Sequence, residues 1–136
     1  MNKKATFIRP FEEIEPEIWG KDFKEPRMLW HIITPKTAGS QNVWFGIILF
    51  PKGVSSRIHS HDWDEIYFAL KGELIIEVGK EKYLMKRYDT MYFPAGTKHQ
   101  TRNFSNQDAL MAWVYAPSPP AEYSEGWFLK QAFKKQ

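Results

Sequence analysis

Gly53-Val-Ser-Ser-Arg57-Ile-His59-Ser-His61-Asp-Trp63-Asp-Glu65-Ile-Tyr67-Phe-Ala-Leu-Lys-Gly72 is the most informative run of the chain. It sets two histidines two residues apart in a segment that reads as a strand from Ser55 to His61. The two-residue period of a strand turns both imidazoles to one face, where they can share one ion. Glu65 follows a short turn and opens the next antiparallel strand, which brings its carboxylate back beside them. Two nitrogens and one oxygen are thereby offered by a local stretch of chain, a donor set that suits transition metals.

A second run, Asp89-Thr-Met-Tyr-Phe-Pro94-Ala-Gly96-Thr-Lys-His99-Gln-Thr-Arg-Asn103, contains a strand, a Pro-x-Gly turn and a third histidine at the start of the following strand. That turn can aim His99 at the other three groups. Around both runs, residues 28 to 116 alternate short β-branched and aromatic stretches with Gly, Pro and Asn, the pattern of an all-β sandwich or barrel. Strands are expected at Met28 to Thr34, Val43 to Phe50, Ser55 to His61, Glu65 to Leu70, Glu73 to Val78, Lys82 to Lys86, Thr90 to Pro94, His99 to Phe104 and Leu110 to Ala116. Pro35 to Asn42, Pro51-Lys52-Gly53, Lys71-Gly72, Gly79-Lys80 and Pro94-Ala95-Gly96 supply the turns, and helix has little place to form. Residues 1–27 read as an N-terminal arm on the barrel or on a partner subunit. Residues 117–136 read as an extension that packs on the barrel, because Trp127, Phe128 and Phe133 are too apolar for a free tail.

Length and composition narrow the field. At 136 residues and 43% apolar content the chain fits one domain, and no internal repeat points to a second barrel. Zero cysteines exclude disulfides, thiolate metal sites and cysteine nucleophiles, so any ion must be held by His, Asp or Glu. No stretch reaches the roughly 18 apolar residues of a membrane span, and the opening Met-Asn-Lys-Lys-Ala-Thr lacks the apolar run of a signal peptide. A cytoplasmic protein without membrane contact is expected. The net charge of +3 is small and the basic cluster from Lys130 to Lys135 reads as a solvated end, so nucleic acid is not expected as a partner. Asn103-Phe104-Ser105 fits the glycosylation pattern, which has no meaning in a cytoplasmic protein.

The two runs together resemble the cupin superfamily, whose first motif is Gly-x5-His-x-His-x3,4-Glu-x6-Gly and whose second is Gly-x5-Pro-x-Gly-x2-His-x3-Asn. The match covers residues 53 to 103 and departs only at Tyr88, where the second motif has a turn glycine. The resemblance implies a single double-stranded β-helix, the cupin jelly-roll barrel, over residues 28–116. It also implies one divalent metal ion on His59, His61, Glu65 and His99. Without an ion, three imidazoles and a carboxylate converging in a barrel would leave polar groups unpaired at roughly 1 to 3 kcal/mol each. Octahedral Fe, Mn or Ni would keep two open positions after four protein ligands, whereas tetrahedral Zn would keep none unless Glu65 moved off. An active site therefore favours Fe, Mn or Ni, with Zn as a further option.

Strand parity extends the site. Arg57 and Ser55 are expected behind His59, Tyr67 beyond Glu65 and Thr101 beyond His99. Arg57 would hold a substrate carboxylate or phosphate, against the alternative of an internal salt bridge. Tyr67 would move a proton, against the alternative of core packing. Trp44, Trp113 and Tyr115 are candidate pocket walls, and His31, with no partner in sequence, is taken as structural. Three functions fit: a metal-dependent lyase or isomerase acting on a small carboxylate or carbonyl metabolite, an Fe(II) dioxygenase, and a non-catalytic small-metabolite or sugar-binding barrel. The first is expected. The chain also resembles the small single-barrel dimethylsulfoniopropionate lyases in length, in His-x-His-x3-Glu-x-Tyr and in a late Trp-rich strand. A small-molecule substrate and a homodimer are the expected partners.

Overall fold

The computed structural model describes residues 8–132. Nine strands carry the architecture: β1 (Glu17–Trp19), β2 (Arg27–Ile33), β3 (Trp44–Phe50), β4 (Asp64–Lys71), β5 (Leu74–Val78), β6 (Glu81–Met85), β7 (Thr90–Phe93), β8 (Gln100–Arg102) and β9 (Ala109–Ala116). They form a six-stranded sheet in the order β1-β2-β3-β9-β4-β7 and a three-stranded sheet in the order β6-β5-β8. Every pairing is antiparallel. This is the jelly-roll arrangement expected from the sequence.

Alternation builds the core. Along β3, Trp44, Gly46, Ile48 and Phe50 turn inward while their neighbours stay half-exposed. The register sets Gly46 opposite Trp113 of β9, and Trp113 opposite Tyr67 of β4. A Cβ at Gly46 would collide with the Trp113 ring and the Trp30 carbonyl oxygen, so glycine here makes room for the indole. Leu74 and Ile76 of β5 and Met85 of β6 join Phe50 and Met111 in one buried cluster that unites the two sheets. Burial of these apolar faces is the main favourable term in such a fold.

Three features depart from the expected elements. First, Ser55 to His61 is not a strand. It touches the β8 segment only through isolated bridges, Ser55 to Arg102 and His59 to His99. Four steps of chain on one side (55 to 59) face three on the other (102 to 99), so one extra residue is accommodated as a bulge. Ser56 fills the distortion: its Oγ accepts from the backbone N–H of Thr101 at 2.9 Å, and its own N–H donates to the Thr101 carbonyl at 2.8 Å.

Second, helix is present. A four-residue turn, α1 (Pro35–Ala38), is capped by Thr34, and α2 (Glu125–Ala132) closes the chain. Ser124 starts α2, its Oγ accepting from the Trp127 backbone N–H at 3.3 Å. The apolar extension packs through Phe128 and half-buried Trp127 and Leu129, while Phe133 lies outside the described residues. Third, the arm adds β1 to the edge of β2 in the same chain and buries Ile14 and Trp19. No helix among the described residues is long and apolar enough to cross a membrane.

Candidate metal centre

The bulged segment delivers His59 and His61, β4 delivers Glu65, and the Pro-x-Gly turn before β8 delivers His99. Backbone pairing of His59 with His99, N–H to carbonyl at 3.0 and 2.9 Å, ties the two segments together. The turn is fixed by the Gly96 N–H donating to the His61 carbonyl at 2.6 Å, with Gly96 in the left-handed region at φ +86°. All four expected ligands are buried, and one donor atom from each lies within 4.8 Å of the others. Ligands at about 2.1 Å from a common ion stand at most about 4.2 Å apart across it, so small side-chain adjustments close a coordination shell.

Hydrogen bonding sets the tautomers. Nδ1 of His59 lies 2.7 Å from the Arg57 carbonyl, and Nδ1 of His99 lies 3.0 Å from the Thr97 carbonyl. Each Nδ1–H is thus donated to backbone, which leaves Nε2 as a lone-pair donor, the arrangement that orients metal-ligating histidines. Nε2 of His99 then stands 3.2 Å from Glu65 Oε1, and Nε2 of His61 stands 3.6 Å from it. Both Glu65 Oε1 and His99 Nε2 are buried without a hydrogen-bond partner. Acceptors facing one another in a buried space are satisfied by a cation lying between them. The cluster fits a metal ion, and this is an observation of its own geometry.

Burial, reinforced by the neighbouring histidines His99 and His61, pushes His59 well below the usual imidazole range. Burial likewise lowers His61 to about 4, against the opposing pull of Glu65. Both rings are therefore neutral at pH 7, as ligation requires.

The ligands open into a cavity of about 50 Å³, walled by Leu29, Ile48, Phe50, Met111, Trp113 and Tyr115 and covered by Tyr123 and Phe128. The Phe128 ring lies 5.2 Å from the His59 ring and 5.7 Å from that of His61, centroid to centroid. Tyr67 is in this cavity, as parity predicts, with Thr101 behind it donating to its hydroxyl at 3.2 Å. Burial and the nearby Glu65 raise Tyr67 well above the ordinary phenol range, so it is a neutral O–H. Trp113 and Tyr115 line the cavity, and the indole N–H of Trp113 is buried without a partner. Trp44 does not line it and instead donates to His31 Nδ1 at 3.2 Å, while His31 Nε2 faces Glu17 at 3.4 Å. His31 is structural, as expected.

Arg57 is a correction to the parity argument. The bulge shifts alternation by one residue, so Ser56 turns into the cavity and Arg57 is exposed, its guanidinium stacked over the Phe23 ring at 4.4 Å. It lines a smaller pocket, of about 20 Å³, with Phe23, His59, Glu125 and Phe128. Ser55 is half-buried and spends its N–H on Glu25 Oε1 at 2.7 Å. The arginine inside the cavity is Arg27, at the start of β2. Burial lowers its pKa, with Glu125, Tyr67 and Glu25 opposing that fall. Sequence reasoning passed over it because its position at the edge of the arm carries no motif. The covering helix had a legible signal in Ser124 followed by Glu125.

Residues 46–115 match the Cupin domain family. A polyketide synthase protein (CurC) of Streptomyces cyaneus is 23% identical over 121 residues, 88% of this chain and 75% of that protein. A tetracenomycin polyketide synthase protein (TcmJ) of Streptomyces glaucescens is 24% identical over 90 residues, and the match spans 65% of this chain and 60% of the relative. Among solved structures, a Thermotoga maritima protein described as a predicted oxalate decarboxylase superposes with a TM-score of 0.73 at 22% identity, covering 82% of this chain and 99% of that one.

Proposed function

Because the chain belongs to the cupin domain family, whose fold serves many activities, we propose its function from the site itself: a metal-dependent enzyme of lyase or isomerase type acting on a small carboxylate or carbonyl metabolite. The observation that carries this reading is the buried, unpartnered pair of Glu65 Oε1 and His99 Nε2, which converge with His61 at the edge of a largely apolar cavity. Polar atoms left unsatisfied in such a place are a cost unless they serve binding or chemistry. The descriptions of the similar proteins, polyketide synthase and predicted oxalate decarboxylase, belong to chemistry at carbonyl and carboxylate carbon and support the same substrate class.

A divalent ion on the four ligands, with Fe, Mn or Ni favoured, supplies Lewis-acid polarisation of a substrate oxygen. The chain's own residues do the rest. Thr101 spends its hydroxyl proton on Tyr67, which leaves the Tyr67 proton for a substrate atom in the cavity. Tyr67 is then a neutral O–H that can donate a hydrogen bond to the substrate, and moving its proton would require a substrate or ion that brings its raised pKa down. Phe128 and Tyr123 exclude bulk water from the reacting groups. Arg57, exposed beside His59 and Phe128 in a neighbouring pocket, would add positive charge near the site. A homodimer would form on the outer face of β4 and β7, where Ile66 lies opposite Tyr92 and Phe68 stacks on Tyr88; a monomer mass by light scattering removes that part.

The experiment is turnover of a panel of small acids and diketones by protein loaded with Mn, Ni or Fe, with oxygen uptake recorded. Product without oxygen uptake, reduced about 100-fold in Tyr67→Phe while metal content is unchanged, supports the reading. Oxygen consumption by the Fe form alone replaces it with a dioxygenase. Ligand binding without turnover leaves a receptor barrel.

A further inference from the structure

Arg27 sits two residues before Leu29 on the inward face of β2, and its guanidinium enters the apolar cavity that also holds His59, His61 and Glu65. Its partners are few. Nη1 donates to the backbone carbonyls of Glu25 at 3.1 Å and Ser55 at 3.3 Å, and Cζ lies 5.9 Å from the centre of the Phe50 ring. Among the described residues it forms no ion pair. The acids nearest in charge stand beyond ion-pair distance and hydrogen-bond to backbone: Glu25 Oε1 accepts from the Ser55 N–H at 2.7 Å, and Glu125 Oε2 accepts from the Gly20 N–H at 2.6 Å. Nε and Nη2 therefore keep their N–H groups without a protein acceptor, on the edge of the fork that grips a carboxylate through two parallel bonds. Trp113 lines the same cavity.

We infer that Arg27 is the seat of a substrate carboxylate, and that the substrate is a small carboxylic acid anion whose other end reaches the histidine and glutamate cluster. Glu25 and Glu125 lend Arg27 negative charge from a distance, but neither forms an ion pair with it, so a bound anion would supply the direct partner that a largely buried guanidinium lacks. The pocket's size limits the acid. About 50 Å³ holds roughly three or four water-sized groups, so an acid of a few carbons fits beneath Phe128 and a bulky one does not. The inference rests on the proposed metal site only for what lies at the far end, and the two can fail separately.

The test measures binding rather than turnover. Acetate, malonate and the neutral isostere acetamide are titrated into metal-free and Mn-loaded protein, followed by tryptophan fluorescence and calorimetry. The wild-type protein is expected to bind acetate saturably in both forms and acetamide at least about tenfold more weakly, with Arg27→Gln losing that preference. Mn affinity is expected to be unchanged in Arg27→Gln, since Arg27 is not a ligand. Arg27→Lys, which keeps the charge but not the fork, is expected to fall between the two and serves if the glutamine variant does not fold. Equal affinity for acetate and acetamide, acetate binding by Arg27→Lys as tight as by wild type, or no acid bound at all would overturn the seat. Acetate binding without any Mn binding would keep the seat and sink the metal reading.

Discussion

Acid should destabilise the metal-free protein through its ligands. His61 is held at about 4 in the fold by burial, against an ordinary imidazole value of 6.5. Below pH 6.5 the unfolded chain takes up a proton on this residue while the folded chain does not, so protons favour unfolding. The contribution of His61 is fully present above 6.5 and is lost as pH falls toward 4. Linkage gives a loss of ~2 kcal/mol at pH 5.0 and ~3 kcal/mol by pH 4 from this residue alone. His59, lowered well below its ordinary value by burial and by its histidine neighbours, acts in the same direction. The assay is urea unfolding in EDTA at pH 7.5 and 5.0, read by tryptophan fluorescence, with His61→Gln as the control that should abolish a large share of the difference. A metal-free protein as stable at pH 5.0 as at pH 7.5 would refute neutral, buried histidines at the centre.

Other perturbations read other links. Gly46→Ala drives a methyl into the Trp113 ring and the Trp30 carbonyl, and is expected to cost about 3 kcal/mol in urea unfolding; a loss under about 1 kcal/mol would contradict the close approach of β3 and β9. Gly96→Ala meets no atom within 4 Å, so only its φ of +86° opposes the change, and a cost of about 1 kcal/mol is expected. Phe128→Ala removes a ring packed on His59 and His61; an approximately 3 kcal/mol loss is expected together with faster removal of bound metal by EDTA, and unchanged metal release would argue against α2 as the cover of the site.

The ligand set was legible because it depends on local spacing. His-x-His places two donors and the following Glu65 and the Pro-x-Gly-x2-His turn one each through short-range geometry, and inward alternation in Trp44, Gly46, Ile48 and Phe50 marks the core directly. What escaped depends on contacts distant in sequence. The bulge that exposes Arg57 is fixed by Ser56 bonding to Thr101, 45 residues away, and no pattern within Ser55 to His61 announces it. Arg27 matters because β2 carries it into a pocket made by other strands. The α2 helix is eight residues long with a glycine at 126, too short and too poor a former to stand alone, and it is held by docking Phe128 over the histidines. Tyr88 shows the reverse case. It replaces the usual turn glycine yet takes the same left-handed backbone, φ +74°, so the turn survives with its strain offset in part by stacking on Phe68 and beneath Arg87.

Metal stoichiometry tests the account most directly. The protein, purified without a chelating tag and measured by elemental analysis as isolated and after dialysis against Mn, Fe, Ni or Zn, is predicted to hold close to one divalent ion per chain. His61→Ala and Glu65→Gln are predicted to lose most of it while remaining folded by circular dichroism. A wild-type protein that takes up no ion under any of these conditions, or variants that bind as much as wild type, would contradict a metal centre on His59, His61, Glu65 and His99.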